Sequence, residues 1–337
     1  MFINLIISVS LGLISCIIFR KFSKLVNLVD IPDGIRKTHQ GSIPLGGGLA
    51  IAFTFFLCSI FFVETNHFLF ALSVSSLVLL FIGLLDDLIT LPISLRLISQ
   101  ILVSWIVIIV TDVYIRDLGD LLGLGHIYLG QLGIPVTIFM LVGVCNAFNM
   151  LDGMDGLVSM ISMVALLIIS IVSFYNGIDF SWSIALLGAI FAFFLFNIGV
   201  LGKKFQIFLG DSGAIPLGFF LAWILVFLSQ EPNKVIEPVS AIWIVLIPLV
   251  DALSTFYRRI RAGQGIFLGD RYHIHFILLD GGLSKNLTLT ILSLLSLLGA
   301  LIALYFLINP VQPYYMFYGF LTIWVFYLLL TKNTPKK

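Results

Sequence analysis

The sequence predicts an all-α polytopic integral membrane protein, and three observations carry that prediction. Apolar residues fill 60% of the 337 positions and charged residues only 10%, more apolar side chain than one soluble core can bury. Apolar runs recur along the whole chain, each near the ~20 residues that cross a hydrocarbon core as a helix. Of the 18 Lys and Arg residues, only Arg116 and Lys234 fall in loops on one side of the resulting layout. The alternation of a membrane β-barrel is absent, which leaves helices as the spanning elements.

Taken in order, the apolar runs predict about 11 spans, at 2–19, 45–63, 68–85, 95–112, 134–150, 157–175, 181–201, 213–229, 239–257, 287–308 and 314–331. The first run has no basic residue ahead of it, and its cluster of Arg20, Lys21 and Lys24 follows it. That order describes a retained first span with its N-terminus outside rather than a cleaved signal peptide. The inner loops are then 20–44, 86–94, 151–156, 202–212 and 258–286, with the tail after 331. Arg116 and Lys234 remain outside, so the N-terminus is expected on the periplasmic side and the C-terminus in the cytoplasm.

No linker or internal repeat divides the chain, and residues 1–337 are read as one transmembrane catalytic domain. The outer stretch DLGDLLGLGHIYLGQLG, glycine-rich and alternating near its end, predicts a short hairpin. Cys16, Cys58 and Cys145 lie in apolar segments without metal-ligand spacing, as small packing residues do. A formal charge of +1 implies no nucleic-acid partner.

The layout gathers the unusual residues on the inner face. They are GLLDDLITL with Asp86 and Asp87, NMLDGMDGL with Asn149, Asp152 and Asp155, FLGDSGA with Asp211 and Ser212, and DRYHIHF with Arg271, His273 and His275. Ionisable groups at a bilayer edge are costly and by default functional. Two adjacent carboxylates at a span end repel unless a cation or a donor stands near them; the plain alternative is a solvated helix end. Asn149, Asp152 and Asp155, spaced by three, would form one polar stripe on a helix; the alternative is a capping turn with Asp152 or Asp155 as N-cap. Asp211 is likewise open to a capping role or to Mg2+, which prefers oxygen ligands and keeps waters for a phosphate-bearing substrate.

KTHQGSIPLGGGLA adds Lys37, His39 and three glycines whose amides could cradle phosphate, against a reading as close helix packing. Arg258, Arg259, Arg261 and Arg271 combine orientation signal with phosphate contact. His273 and His275 at i, i+2 would share a strand face but not a helix face. Carboxylates for a hard cation, with Arg, Lys and His for anionic oxygens, are the equipment of phosphoryl transfer at the inner membrane surface.

In order and spacing, these motifs from about residue 30 to 285 resemble the polyprenyl-phosphate N-acetylhexosamine-1-phosphate transferases. HQGSIPLGGG, NAFNMLDGMDG, VSAIWIVLIPLVD with YRRIRAG, and HIH are similar to the WecA and TagO branch. The resemblance implies a bacterial inner-membrane enzyme that transfers a sugar 1-phosphate from a UDP-N-acetylhexosamine to undecaprenyl phosphate and releases UMP. UDP-GlcNAc is the donor it favours, with GalNAc, QuiNAc or FucNAc donors as the alternative. Mg2+ or Mn2+ is the implied cofactor, tunicamycin an implied inhibitor, and a second copy of the chain an optional partner. By motif position, Asp211 with Asp87 would bind the metal, and Asp86 and Asp87 would organise the lipid phosphate. Asn149, Asp152 and Asp155 would lie by the nucleotide, and the basic and histidine loop would hold pyrophosphate and sugar.

Because a phosphate monoester has a second pKa of about 6, the acceptor is largely a dianion at neutral pH. An electrostatic role is therefore expected for Asp86 ahead of proton removal. A secondary transporter, the rival reading, would place acids near the midplane, and only Asp251 sits well inside a predicted span.

Overall fold

The computed structural model describes residues 2–32, 41–63, 66–263, 265, 272–309 and 311–331. Lys37, His39 and Arg271 lie outside the described residues. Helices run α1 Phe2–Leu25, α2 Gly47–Phe61, α3 His67–Ile89, α4 Ile93–Thr111, α5 Gly133–Leu151, α6 Leu157–Tyr175, α7 Ser181–Asn197 and α8 Asp211–Ser229. They continue with α9 Pro238–Ile244, α10 Leu246–Arg261, α11 Ile274–Asp280, α12 Lys285–Ile308 and α13 Pro313–Leu330. Two residue pairs, β1 Val29–Asp30 and β2 Ile43–Pro44, form a short antiparallel ladder after α1.

Among the described residues, eight helices are long and apolar enough to cross a membrane by themselves. Each predicted span has a helix beneath it, with two departures. α2 and α7 are shorter than 18 residues, and the run read as one span at 239–257 is broken at Val245, where α9 and α10 meet at 87°. The predicted outer hairpin is present in minimal form, as one antiparallel bridge from Asp117 to Tyr128, with the Leu129 amide donating to the Arg116 carbonyl at 2.8 Å and the Leu118 amide to the Ile127 carbonyl at 3.0 Å. The loop is tied down by Gln230, whose Oε1 accepts the amides of Arg116 and Asp117 at 2.8 and 3.1 Å. All three cysteines are buried and unpaired.

Burial ranks the helices. The apolar window of α8 is 94% buried and that of α13 only 11%, so α8 is the axis and α13 part of the rim. Rim helices turn large apolar side chains outward, as Ile98, Leu102, Trp105 and Ile109 do along α4, which suits hydrocarbon rather than water. Neighbours crowd α8 closely at its first turn. A Cβ at Gly48 of α2 would lie 2.6 Å from the Ser212 backbone, and one at Gly83 of α3 would lie 2.6 Å from Ser212 Cα. Only glycine allows two helices to close on that turn from both sides. This approach places the end of α3 against the start of α8.

Candidate active site

Two consecutive aspartates leave the last full turn of α3 and meet different partners. Asp87 turns to α8, where its Oδ1 accepts the Asp211 amide at 3.0 Å and its Oδ2 the Ser212 amide at 3.1 Å. It therefore caps α8 from a neighbouring helix and meets the positive end of that helix's dipole. Asp86, 7% exposed, accepts the Leu91 amide at 2.7 Å and the Arg96 guanidinium at 2.6 Å. The Leu91 bond closes the turn between α3 and α4, and α4 then brings Arg96 back to the pair.

Arg96 also reaches Asp211 Oδ2 at 3.0 Å, so one guanidinium bridges two carboxylates from two helices. Asp211 Oδ1 accepts from Asn149 Nδ2 at 2.7 Å, which adds the end of α5. Asp211 is the first residue of α8, after Gly210, so it does not N-cap its own helix. Arg96 falls inside the predicted span 95–112 and is not among the sequence-predicted site residues. A lone cation ten residues beyond Asp86, at the start of an apolar helix, was the available signal.

The polar stripe expected from Asn149, Asp152 and Asp155 does not form, because α5 ends at Leu151 and Asp152 follows the helix as its C-cap. Neither acid caps α6. Gly156, at φ 81°, precedes that helix, and its amide donates to Asn197 Oδ1 at 2.6 Å. Asn197 in turn donates to the Ile207 carbonyl at 3.0 Å, tying the DGMDG turn to the strand-like stretch before α8. Asp155 lies 3.9 Å from Lys285 at the start of α12. Asp152 is half-buried among acids. Loss of water, then repulsion from Asp211, Asp87 and Asp155, raises its carboxyl well above the usual carboxylate range, against an opposing amide bond from Gly210.

The glycine run decides for packing. The Gly47 and Gly48 amides are already bonded to the Phe208 and Leu209 carbonyls at 2.9 and 3.2 Å, so those two are not free to cradle phosphate. Arg261 ends α10 and is exposed. His273 and His275 are buried, their rings stacked 6.0 Å apart, as α11 starts. A Cβ at Gly153 would lie 2.5 Å from His275 Nε2, so the histidine segment rests directly on the DGMDG turn. Among the described residues no three His, Cys, Asp or Glu side chains converge closely enough to hold a metal ion in this arrangement.

The profile of glycosyl transferase family 4 matches residues 69–229, from α3 through α8. The chain is 34% identical over 302 residues to the undecaprenyl-phosphate alpha-N-acetylglucosaminyl 1-phosphate transferase of Escherichia coli K12, covering 86% of this chain and 81% of that protein. Proteins of the same name from Yersinia pestis and Haemophilus influenzae are 34% and 33% identical. They cover 81% and 83% of this chain, and 75% and 79% of their own length.

Proposed function

Because the chain belongs to glycosyl transferase family 4, we propose that it transfers N-acetylglucosamine 1-phosphate from UDP-GlcNAc to undecaprenyl phosphate. An oxygen of the acceptor phosphate attacks the sugar-bearing phosphorus. The bond from that phosphorus to the bridging oxygen breaks, and UMP leaves with the oxygen and the electron pair. No proton has to be removed from a dianionic acceptor.

The observation that carries this reading is the convergence of Asp86, Asp87, Asn149, Asp152 and Asp211, from three helices and a turn, with one guanidinium bridging Asp86 and Asp211. Asp86 has both oxygens engaged, by Leu91 and Arg96, which favours an electrostatic duty over proton abstraction. Arg96 is suited to hold a phosphate once a substrate competes for it, as a planar donor fork does.

The donor chemistry fits Mg2+, with Mn2+ as a substitute. The acids supply hard oxygens, and among the described residues one guanidinium, that of Arg96, bridges Asp86 and Asp211. Asp211 and Asp87 would hold the ion, each giving up a present hydrogen bond. When bound, the ion supplies charge neutralisation on the transferring phosphoryl group. Asn149, Asp152 and Asp155 are assigned to the nucleotide side, and His273 and His275 to the diphosphate and sugar. The site is assigned to the cytoplasmic face, supported by Arg116 and Lys234 being the only Lys or Arg in the predicted loops at the opposite end.

The test is UMP release by the purified protein from UDP-GlcNAc and undecaprenyl phosphate with Mg2+, run beside UDP-GalNAc. UMP formed only with UDP-GlcNAc supports the reading, and UMP without lipid-linked sugar overturns it.

A further inference from the structure

Outside the acidic cluster, a second network holds the histidine segment from behind. Asp251 lies in α10, 1% exposed. Its Oδ2 is 2.8 Å from His273 Nδ1, and its Oδ1 accepts the Ile274 amide at 2.6 Å. Tyr327 of α13 brings its hydroxyl to 3.5 Å from the same Oδ1.

Two turns further along α10, Arg258 donates to the Tyr272 carbonyl at 2.6 Å and to Thr331 Oγ1 at 3.1 Å. Residues seven apart share a helix face. α10 therefore grips the chain on both sides of His273, with α13 as backing through Tyr327 and Thr331. The gripped segment is the one whose His275 presses on Gly153 of the DGMDG turn.

We propose that Asp251 is a positioning residue that sets the tautomer of His273 and holds the His273–His275 segment against the DGMDG turn. This rests on the reading of His273 and His275 as contacts of the nucleotide-sugar diphosphate. An ionised carboxylate only accepts, so the proton lies on Nδ1 and Nε2 is the unprotonated nitrogen. Both oxygens of Asp251 are used, and that is why the amide isostere is informative. In Asp251→Asn the remaining oxygen goes to the Ile274 amide, and the NH2 faces the ring. Nδ1 must then accept, and the tautomer inverts at almost unchanged volume.

Two measurements on the full chain in lipid nanodiscs test this. In 15N-histidine spectra, with His273 assigned by its loss in His273→Gln, the native protein is expected to carry the proton on Nδ1 and Asp251→Asn on Nε2. An unchanged tautomer overturns the proposal without reference to any substrate. In turnover of UDP-GlcNAc, Asp251→Asn is expected to lower kcat/KM by roughly 10- to 100-fold, as loss of an orienting partner does. In a His273→Gln background the same change should cost less than about 2-fold, because coupled partners are not additive. Additive losses would mark Asp251 as a structural brace alone and overturn the role. Native turnover in the same preparation reports separately on the reading beneath. If Asp251→Asn does not assemble, Asp251→Glu carries both measurements, with rescue of the Nδ1 tautomer expected.

Discussion

Arg96 shows how much a single side chain can organise. It is 26% exposed at its side chain and bridges Asp86 and Asp211. Its loss should cost stability between the ~0–1 kcal/mol of an exposed pair and the ~3–5 kcal/mol of a buried one. Arg96→Gln is therefore expected to lower the unfolding free energy by about 2 kcal/mol in denaturant titration, and kcat/KM by at least about 100-fold. Native activity in Arg96→Gln would remove the residue from the site.

Asp152 gives a pH prediction with a definite sign. Its carboxyl is raised in the folded state, so the folded protein binds more protons than the unfolded one above the ordinary carboxylate pKa of about 3.9. Stability contributed by this group then falls as pH rises from there through the raised value. In chelator, Asp152→Asn is expected to melt higher than the native protein at pH 8 and alike at pH 4, while losing activity. A lower melting temperature at pH 8 would contradict the crowding of acids around it.

These residues were legible to different degrees. Asp86, Asp87, Asn149, Asp152 and Asp211 stood out because acids are rare in apolar sequence, and rarity carries the signal. Arg96 and Asn197 did not stand out. An arginine near a span end is ordinary orientation signal, and an asparagine bonding backbone groups at 2.6 and 3.0 Å leaves no pattern in sequence.

Among the elements, the contact of α3 with the first turn of α8 controls the geometry. Gly83→Ala places a Cβ 2.6 Å from Ser212 Cα, backbone that cannot swing aside. Overpacking of this kind costs about 1–3 kcal/mol, and it would draw Asp87 off the amides it caps. Gly143→Ala in α5, where nothing lies within 4 Å, is the control and should be neutral or slightly stabilising. Equal effects of the two substitutions, in thermal melts and turnover, would show that α3 and α8 do not depend on this approach.

Hydropathy located the spans because a bilayer demands length and apolarity. It missed the 87° break at Val245, since 239–257 is apolar throughout and a bend between two apolar helices leaves composition unchanged. It placed 151–156 in an inner loop, where the structure has the turn between α5 and α6, while residue spacing suggested a helical stripe through Asn149, Asp152 and Asp155. The spacing of three suits a helix, but Gly153 and Gly156 stand where α5 has already ended.

For the whole molecule, the sequence could not say which helix is the axis. Lipid and protein interior ask for the same apolar chemistry, so α8 at 94% buried and α13 at 11% buried are both plain hydrophobic runs. Burial had to come from packing, and with it came the meeting of carboxylates at one end of the bundle. Orientation is a separate prediction from the basic residues. Single cysteines placed at Lys203 and Arg116 in a cysteine-free background should react with an impermeant maleimide from opposite sides of sealed vesicles. Labelling from one side would refute the layout.

The central claim is that Asp86, Asp87, Asp152, Asp211 and Arg96 form one phosphoryl-transfer site. It is tested most directly by UMP release from UDP-GlcNAc and undecaprenyl phosphate, comparing the native protein with Asp211→Asn across a Mg2+ titration. The account predicts Mg2+-dependent UMP and lipid-linked sugar from the native protein, and at least about 1,000-fold less from Asp211→Asn, as loss of a main electrostatic group entails. Native-level turnover in Asp211→Asn, or turnover indifferent to chelation, would contradict it.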